Sequence, residues 1–181
     1  MKKLLLCAVI TVLGLTSVSA QERAVKVNPL ALLGGTDLVS FETKLGEQST
    51  GVVGAAIGGF KFGGIKYSSF GGELQYRYYF GDLLDGWYGA AGVSYQSGTT
   101  EFETIGFDSS SSDEFDFSAF GGGLKIGHQW AWDSGFVIDL NLGASYKSFN
   151  YDFGDADSFT QELFKGSGVL PTFGFGVGYS W

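Results

Sequence analysis

The chain has 181 residues, with 11 Lys and Arg against 19 Asp and Glu, a net charge of −8, and 17% aromatic residues. The acidic balance argues against nucleic acid as a partner, and the aromatic content, with only 2 prolines, argues against a disordered chain. Its 30 glycines alternate with aromatics, as in a small β-barrel that uses aromatics at its rims and glycine for tight curvature and a narrow interior.

The first element is not part of the fold. Met1-Lys2-Lys3 is a short basic region, and Leu4 to Leu15 is an apolar stretch of about a dozen residues, too short for a typical spanning helix. Val18-Ser19-Ala20 then supplies small residues ahead of Gln21-Glu22, so residues 1–20 read as a secretory signal peptide and residues 21–181 as one barrel domain. Cys7 lies inside the signal, too early and with the wrong neighbours for a lipoprotein cleavage site. Cleavage would leave no cysteine, and hence no disulfide, thiol chemistry or acyl anchor. Removing 20 of 181 residues leaves 161; Lys2 and Lys3 depart with them, so 9 basic residues face 19 acidic ones, a net of −10.

Eight strand-like segments follow: Ala24–Leu33, Thr36–Leu45, Gly51–Phe60, Ser68–Phe80, Gly86–Glu103, Glu114–Ala131, Gly135–Asp152 and Gly168–Trp181. The third, rich in Gly and Ala, has no decisive alternation. In the fourth, Leu74, Tyr76, Tyr78 and Phe80 oppose Glu73, Gln75, Arg77 and Tyr79. In the fifth, Trp87, Gly89, Ala91, Val93 and Tyr95 oppose Tyr88, Ala90, Gly92, Ser94 and Gln96. In the seventh, Phe136, Ile138, Leu140, Leu142, Ala144 and Tyr146 oppose Val137, Asp139, Asn141, Gly143, Ser145 and Lys147. The eighth alternates Phe173, Phe175, Val177, Tyr179 and Trp181 with glycine and serine.

An even strand number suits a closed up-and-down barrel with both termini at one end, the periplasmic one in an outer membrane. Gly81–Asp85 and Ala131–Ser134 are tight and read as periplasmic turns. Lys61–Tyr67, Thr104–Asp113 and Phe153–Ser167 are longer and read as outer loops, while the connection near Gly34-Gly35 would be very short and Leu45–Thr50 moderate. This topology puts Trp87, Trp130, Trp132 and Trp181 at periplasmic strand ends, where aromatic residues with a polar tip prefer the membrane boundary. Phe60, Phe102, Phe117, Phe149 and Tyr151 are the candidates for the outer rim. A final aromatic strand ending on Trp181 resembles those of outer-membrane barrel proteins, in which that strand closes the barrel and is read by the assembly machinery.

A closer resemblance lies in Lys26-Val-Asn-Pro-Leu-Ala-Leu-Leu-Gly34, Leu38-Val-Ser-Phe-Glu42, Glu73-Leu-Gln-Tyr-Arg-Tyr-Tyr-Phe80 and Gly86-Trp-Tyr-Gly-Ala-Ala-Gly-Val93. These are similar to the opening and the middle strands of a family of small outer-membrane barrels from Bacteroidota, within the OmpA/OmpX/OmpW-like eight-stranded barrels of the porin-type superfamily. The N-terminal motif is moderately specific and the rest is generic barrel sequence. The resemblance implies an all-β, eight-stranded antiparallel fold and an outer-membrane location; that family has no agreed biochemical activity.

Alternation sends Lys26, Asn28, Glu42, Glu73, Gln75, Arg77, Lys125, Gln129, Asp139, Asn141 and Lys147 to the lumen. Charges in so narrow an interior must pair, because an unpaired buried charge is strongly unfavourable. Glu42, Glu73, Arg77, Lys125 and Asp139 form the candidate lumen cluster, with Glu42 and Glu73 set against Arg77 and Lys125. Its bland reading is a plug that holds the wall together; its functional reading is a narrow solute path.

Elsewhere the signals for chemistry are weak. Asp108-Ser-Ser-Ser-Ser-Asp-Glu-Phe-Asp116 and Asp152-Phe-Gly-Asp-Ala-Asp157 are acidic, but their spacing matches no calcium loop, so they read as solvated loops. His128 lacks a Ser or carboxylate partner on its own face and reads as a rim residue. One His and no mature Cys give no usual zinc or haem site, and Gly121-Gly122-Gly123 lies within a strand rather than at a phosphate-binding turn. No catalytic residue, metal ligand or cofactor is expected. The expected protein is a non-enzymatic outer-membrane barrel with a structural or surface-interaction role, its partners being membrane lipid, lipopolysaccharide and the barrel-assembly machinery. A small passive channel is the alternative. A soluble lipocalin-type barrel, with polar exterior and apolar cup, ranks last because the charges share faces with Gly and Ser.

Overall fold

The computed structural model describes residues 21–29, 37–62, 65–105, 110–152 and 166–181. The expected signal peptide, the Leu30–Gly34 part of the N-terminal motif, residues 108–109 and 153–157 of the acidic segments and residues 153–165 of the expected last outer loop lie outside these residues. The described chain is all β: β1 (Arg23–Val27), β2 (Asp37–Lys44), β3 (Ser49–Phe62), β4 (Ile65–Tyr79), β5 (Gly86–Ile105), β6 (Ser110–Ala131), β7 (Phe136–Asp152) and β8 (Gly166–Ser180). Each pairs antiparallel with its sequence neighbour, and β1 pairs with β8, closing the barrel. Closure removes the exposed edges that an open sheet of this length would leave.

The termini meet at one end, here the near end, where the Glu22 N–H donates to the Trp181 carbonyl at 2.9 Å and the Trp181 N–H donates to the Arg23 carbonyl at 2.9 Å. The β2–β3, β4–β5 and β6–β7 turns lie at this end as well. All four tryptophans collect there. Trp87 packs against His128 with ring centroids 5.1 Å apart, and His128 packs against Trp130 at 4.3 Å. Trp132 stacks on Phe136 at 5.5 Å, and Trp181 stacks on Tyr179 at 6.4 Å.

At the far end the strands run further than the sequence pattern suggests. β3 reaches Phe62 and β4 starts at Ile65, and β5 and β6 pair from Ile105↔Ser110 downward, so the segments read as long loops at Lys61–Tyr67 and Thr104–Asp113 are largely strand. The Ser run was legible only as polar and loop-like, but ladder hydrogen bonds to β5 hold its backbone extended. β3 also gains a clear alternation: Val52 and Ala56 are buried, while Val53 and Ile57 are exposed.

The two faces of the wall are inverted relative to a soluble protein. Ile57, Phe70, Leu124, Leu142, Val169 and Phe173 are each about 60–70% exposed on the outside, whereas Lys26, Glu42, Arg77 and Asp139 are at most 3% exposed within. A soluble monomer rarely shows so continuous an apolar surface. Two expected rim aromatics fall on the other face. Phe117 is buried, sharing the inward parity of Ala119 and Gln129, and Phe149 has the inward parity of Asp139 and Lys147. The alternation in β6 and β7 leaves them no outward option, and Phe120 and Tyr146 occupy the exposed aromatic positions instead. The side chains of Phe60, Phe102 and Tyr151 lie outside the described residues.

Candidate functional site

The near half of the lumen is filled by one network. Lys26 on β1 donates to Glu42 Oε2 at 2.5 Å, to Gln129 Oε1 at 2.6 Å and to Asp139 Oδ2 at 2.6 Å, using all three ammonium hydrogens. Arg77 on β4 bridges the same two carboxylate oxygens through Nη1, to Asp139 Oδ2 at 2.6 Å and Glu42 Oε2 at 3.3 Å. Two cations and two carboxylates thus alternate around a square, which is neutral as a unit.

The remaining acceptor positions are filled too. Glu42 Oε1 accepts from Thr50 at 2.6 Å and from the Tyr79 hydroxyl at 2.8 Å, and Asp139 Oδ1 accepts from the Tyr88 hydroxyl at 2.6 Å. Arg77 Nε reaches Gln75 at 3.2 Å, and its guanidinium lies 4.4 Å from the centre of the Tyr88 ring. Such complete satisfaction is what buried charges need. The network draws a side chain from each of β1 to β7. On β8, Gly176 and Gly178 face it; a Cβ at Gly178 would come within 2.8 Å of Lys26 Cγ, so the bare backbone makes room for the ammonium stem.

Beneath the square lies a small apolar core of Tyr79, Leu84, Tyr88 and Ala90. Leu84 belongs to the turn between β4 and β5, is fully buried, and has φ +64°, the left-handed conformation that a branched side chain seldom adopts. Two contacts hold it there. Gln129 Nε2 donates to the Leu84 carbonyl at 2.8 Å, and Asp85 Oδ1 accepts the Ala131 N–H at 3.1 Å. The turn therefore folds up into the near mouth of the barrel.

Of the five residues expected to cluster, Glu42, Arg77 and Asp139 meet in the square. Glu73 and Lys125 form a separate pair further along the lumen, with Lys125 Nζ 2.7 Å from both Glu73 oxygens and both side chains about 15% exposed. The separation has a geometric cause. Arg77 and Lys125 share one hydrogen-bonded row through Ala90, but the strands of a barrel tilt, so such a row climbs as it goes round. Lys125 ends level with Glu73, four residues beyond Arg77 on β4. Sequence reasoning placed Lys26 in the lumen without assigning it a partner, and it missed Thr50, Tyr88 and Leu84. For Tyr88 the inward parity with Ala90 and Ser94 was the available signal; for Leu84 there was none.

Past the square the lumen holds a cavity of about 110 Å3, floored by Lys26, Arg77 and Asp139 and walled by Glu73, Lys125, Asn141 and Lys147 among others. His128 lies outside all of this, on the outward face between Trp87 and Trp130, and its Nδ1 is buried without a hydrogen-bond partner. Among the described residues no group of three or more His, Cys, Asp or Glu is placed to hold a metal ion.

No curated protein sequence matches the chain. A family model described as "Protein of unknown function (DUF3575)" matches residues 5–165, from the expected signal segment through β7. That span covers most of the 181 residues, and the chain belongs to the DUF3575 family.

Proposed function

We propose that this protein is an integral outer-membrane β-barrel, inserted with its near end and both termini in the periplasm, akin to the small OmpA/OmpX/OmpW-like barrels of Bacteroidota. Its role is non-enzymatic: a plugged, stable wall in the membrane that carries the far-end hairpins as its surface-facing part. The observation that supports this most directly is the inversion of polarity. Large apolar side chains cover the outside, and the fully buried charges are inside. Lipid would solvate the first set, and the second set pairs with itself. The tryptophans gathered at the near end suit a membrane–water boundary. The partners are then membrane lipid and lipopolysaccharide, and the barrel-assembly machinery during biogenesis.

The plug reading rests on the ionic square and the Leu84 turn, which together occupy the near half of the lumen. Refolding the protein into lipid vesicles and planar bilayers tests both parts. The expected result is a detergent-dependent, heat-modifiable barrel that conducts no ions. Arg77→Ala, which breaks the square, is the variant in which leakage should first appear. Steady conductance of the unaltered protein that changes with Arg77→Ala and Lys125→Ala would overturn the plug and favour a small passive channel. Recovery of the folded protein without detergent would overturn the membrane assignment.

A further inference from the structure

The cavity beyond the square has a chemistry that packing alone does not explain. Inward glycines line it, among them Gly123 and Gly174, each packed so closely that a Cβ would come within 2.6 Å of the Ala144 carbonyl and 2.5 Å of the Asn141 amide. Ser145 and Thr172 line it, and the hydroxyl oxygens of both are buried with no hydrogen-bond partner among the described residues. Ser145 is only 7% exposed. Buried hydroxyls are ordinarily paired, and one left alone is unfavourable. They sit on adjacent strands: Ser145 pairs with Leu170, two residues from Thr172.

Charge points the same way. Lys26 and Arg77 are balanced by Glu42 and Asp139, and Lys125 is balanced by Glu73. Lys147 also lines the cavity, its stem lying over Gly121, where a Cβ would come within 2.9 Å of Lys147 Cγ. It forms no ion pair among the described residues. Among the described residues, Lys147 is therefore the cavity-lining cation without an ion-pair partner. Water could satisfy the two hydroxyls, but it would leave the ammonium unbalanced.

The geometry points to a binding site for a small oxyanion, a carboxylate or a phosphate, held by the Lys147 ammonium and the Ser145 and Thr172 hydroxyls. These groups are donors, and an anion with several acceptor oxygens satisfies all three together. The cavity is several times the roughly 10–15 Å3 that one water needs, which suits an ion of this size and excludes a bulky solute. The inference stands on the barrel interior alone and holds whether or not lipid surrounds the wall.

Calorimetric titration of the refolded protein in nonionic detergent, with sodium phosphate and separately with sodium acetate, tests it; sodium chloride is the control. One saturable site is expected for at least one of the two oxyanions. Binding should weaken about tenfold or more in Lys147→Gln and in the Ser145→Ala/Thr172→Val double variant, since each removes charge-assisted hydrogen bonds. The double variant deletes hydroxyls that bond to nothing among the described residues, so its melting temperature without ligand should not fall. A second series in micelles doped with anionic phospholipid separates the sources. Competition assigns the oxyanion to a lipid headgroup, and its absence assigns it to a free solute. No saturable heat with either oxyanion, an equal response to chloride, or binding unchanged in both variants would overturn the site.

Discussion

Two regions of the lumen are built on the same strands by the same alternation, yet one is packed with paired charges and the next holds a cavity. In the near half the inward positions carry Lys26, Glu42, Arg77, Tyr79, Tyr88, Gln129 and Asp139, and every polar atom named among them finds a partner. In the far half Gly123, Ser145 and Gly174 take the equivalent places, and a cavity remains. The strand pattern decides only which residues face inward. Side-chain length and charge at those positions decide whether the inside becomes a wall or a chamber.

Three ionic groupings at three depths, among the described residues, let that contrast be measured. The buried square should respond most. Arg77→Ala leaves Glu42 and Asp139 with a single cation between them, and stripping one partner from a buried pair typically costs about 3–5 kcal/mol. The midpoint of denaturant unfolding of the refolded protein should fall accordingly, with an unchanged slope. An unshifted midpoint would mean that the square is not closed in solution. The size of the loss would not make the square a net stabiliser. Replacing a whole buried ionic group with well-packed apolar residues is often neutral or favourable. What the square does supply is a set of cross-links from β1 to β7 that only one strand register can satisfy.

Lys125→Ala addresses the halfway case. The Lys125–Glu73 pair borders the cavity and both side chains retain some exposure, so its loss should cost about 1 kcal/mol, near the upper end for solvated pairs. The double variant with Arg77→Ala carries the sharper information. The two networks share no hydrogen-bond partner, and independent sites add within about 0.5 kcal/mol. Strong coupling between them would show that the lumen is one network rather than a square and a separate pair.

The sequence was most informative where its period was strict. The period-2 runs in β4, β5 and β7 located the wall, its inward face and the inward placement of Arg77 and Asp139. Tryptophan positions marked the near end without reference to the strand count. Heights were not legible, because strand tilt turns a flat list of inward residues into a spiral, and that is why Glu73 and Lys125 were expected beside Arg77. Leu84 was hidden for a different reason. A turn residue at positive φ with its side chain in the lumen depends on what Gln129 and the tyrosines leave open, and no local pattern encodes that. Phe117 and Phe149 show the converse error: aromatic character suggested a rim, but parity placed both inward.

The smallest effect belongs to the third pair, Glu22 and Lys44, which joins the segment before β1 to the end of β2 outside the barrel. Lys44 Nζ lies 2.8 Å from Glu22 Oε1, and both side chains are well exposed. The hydrogen bond and the charge of Lys44 hold the Glu22 carboxyl below its ordinary range. A carboxylate lowered in the folded state contributes stability above its unfolded pKa, and that contribution disappears as pH falls through the folded value. Lys44→Met should therefore lower the melting temperature slightly at neutral pH, and the difference from the unaltered protein should close as the pH drops below the ordinary glutamate range. Salt should close it as well, since exposed pairs are screened, while the loss from Arg77→Ala should persist in high salt because the square is buried. A Lys44→Met difference that survived both acid and salt would show that Lys44 acts through packing of its stem at the near end, with the charge incidental.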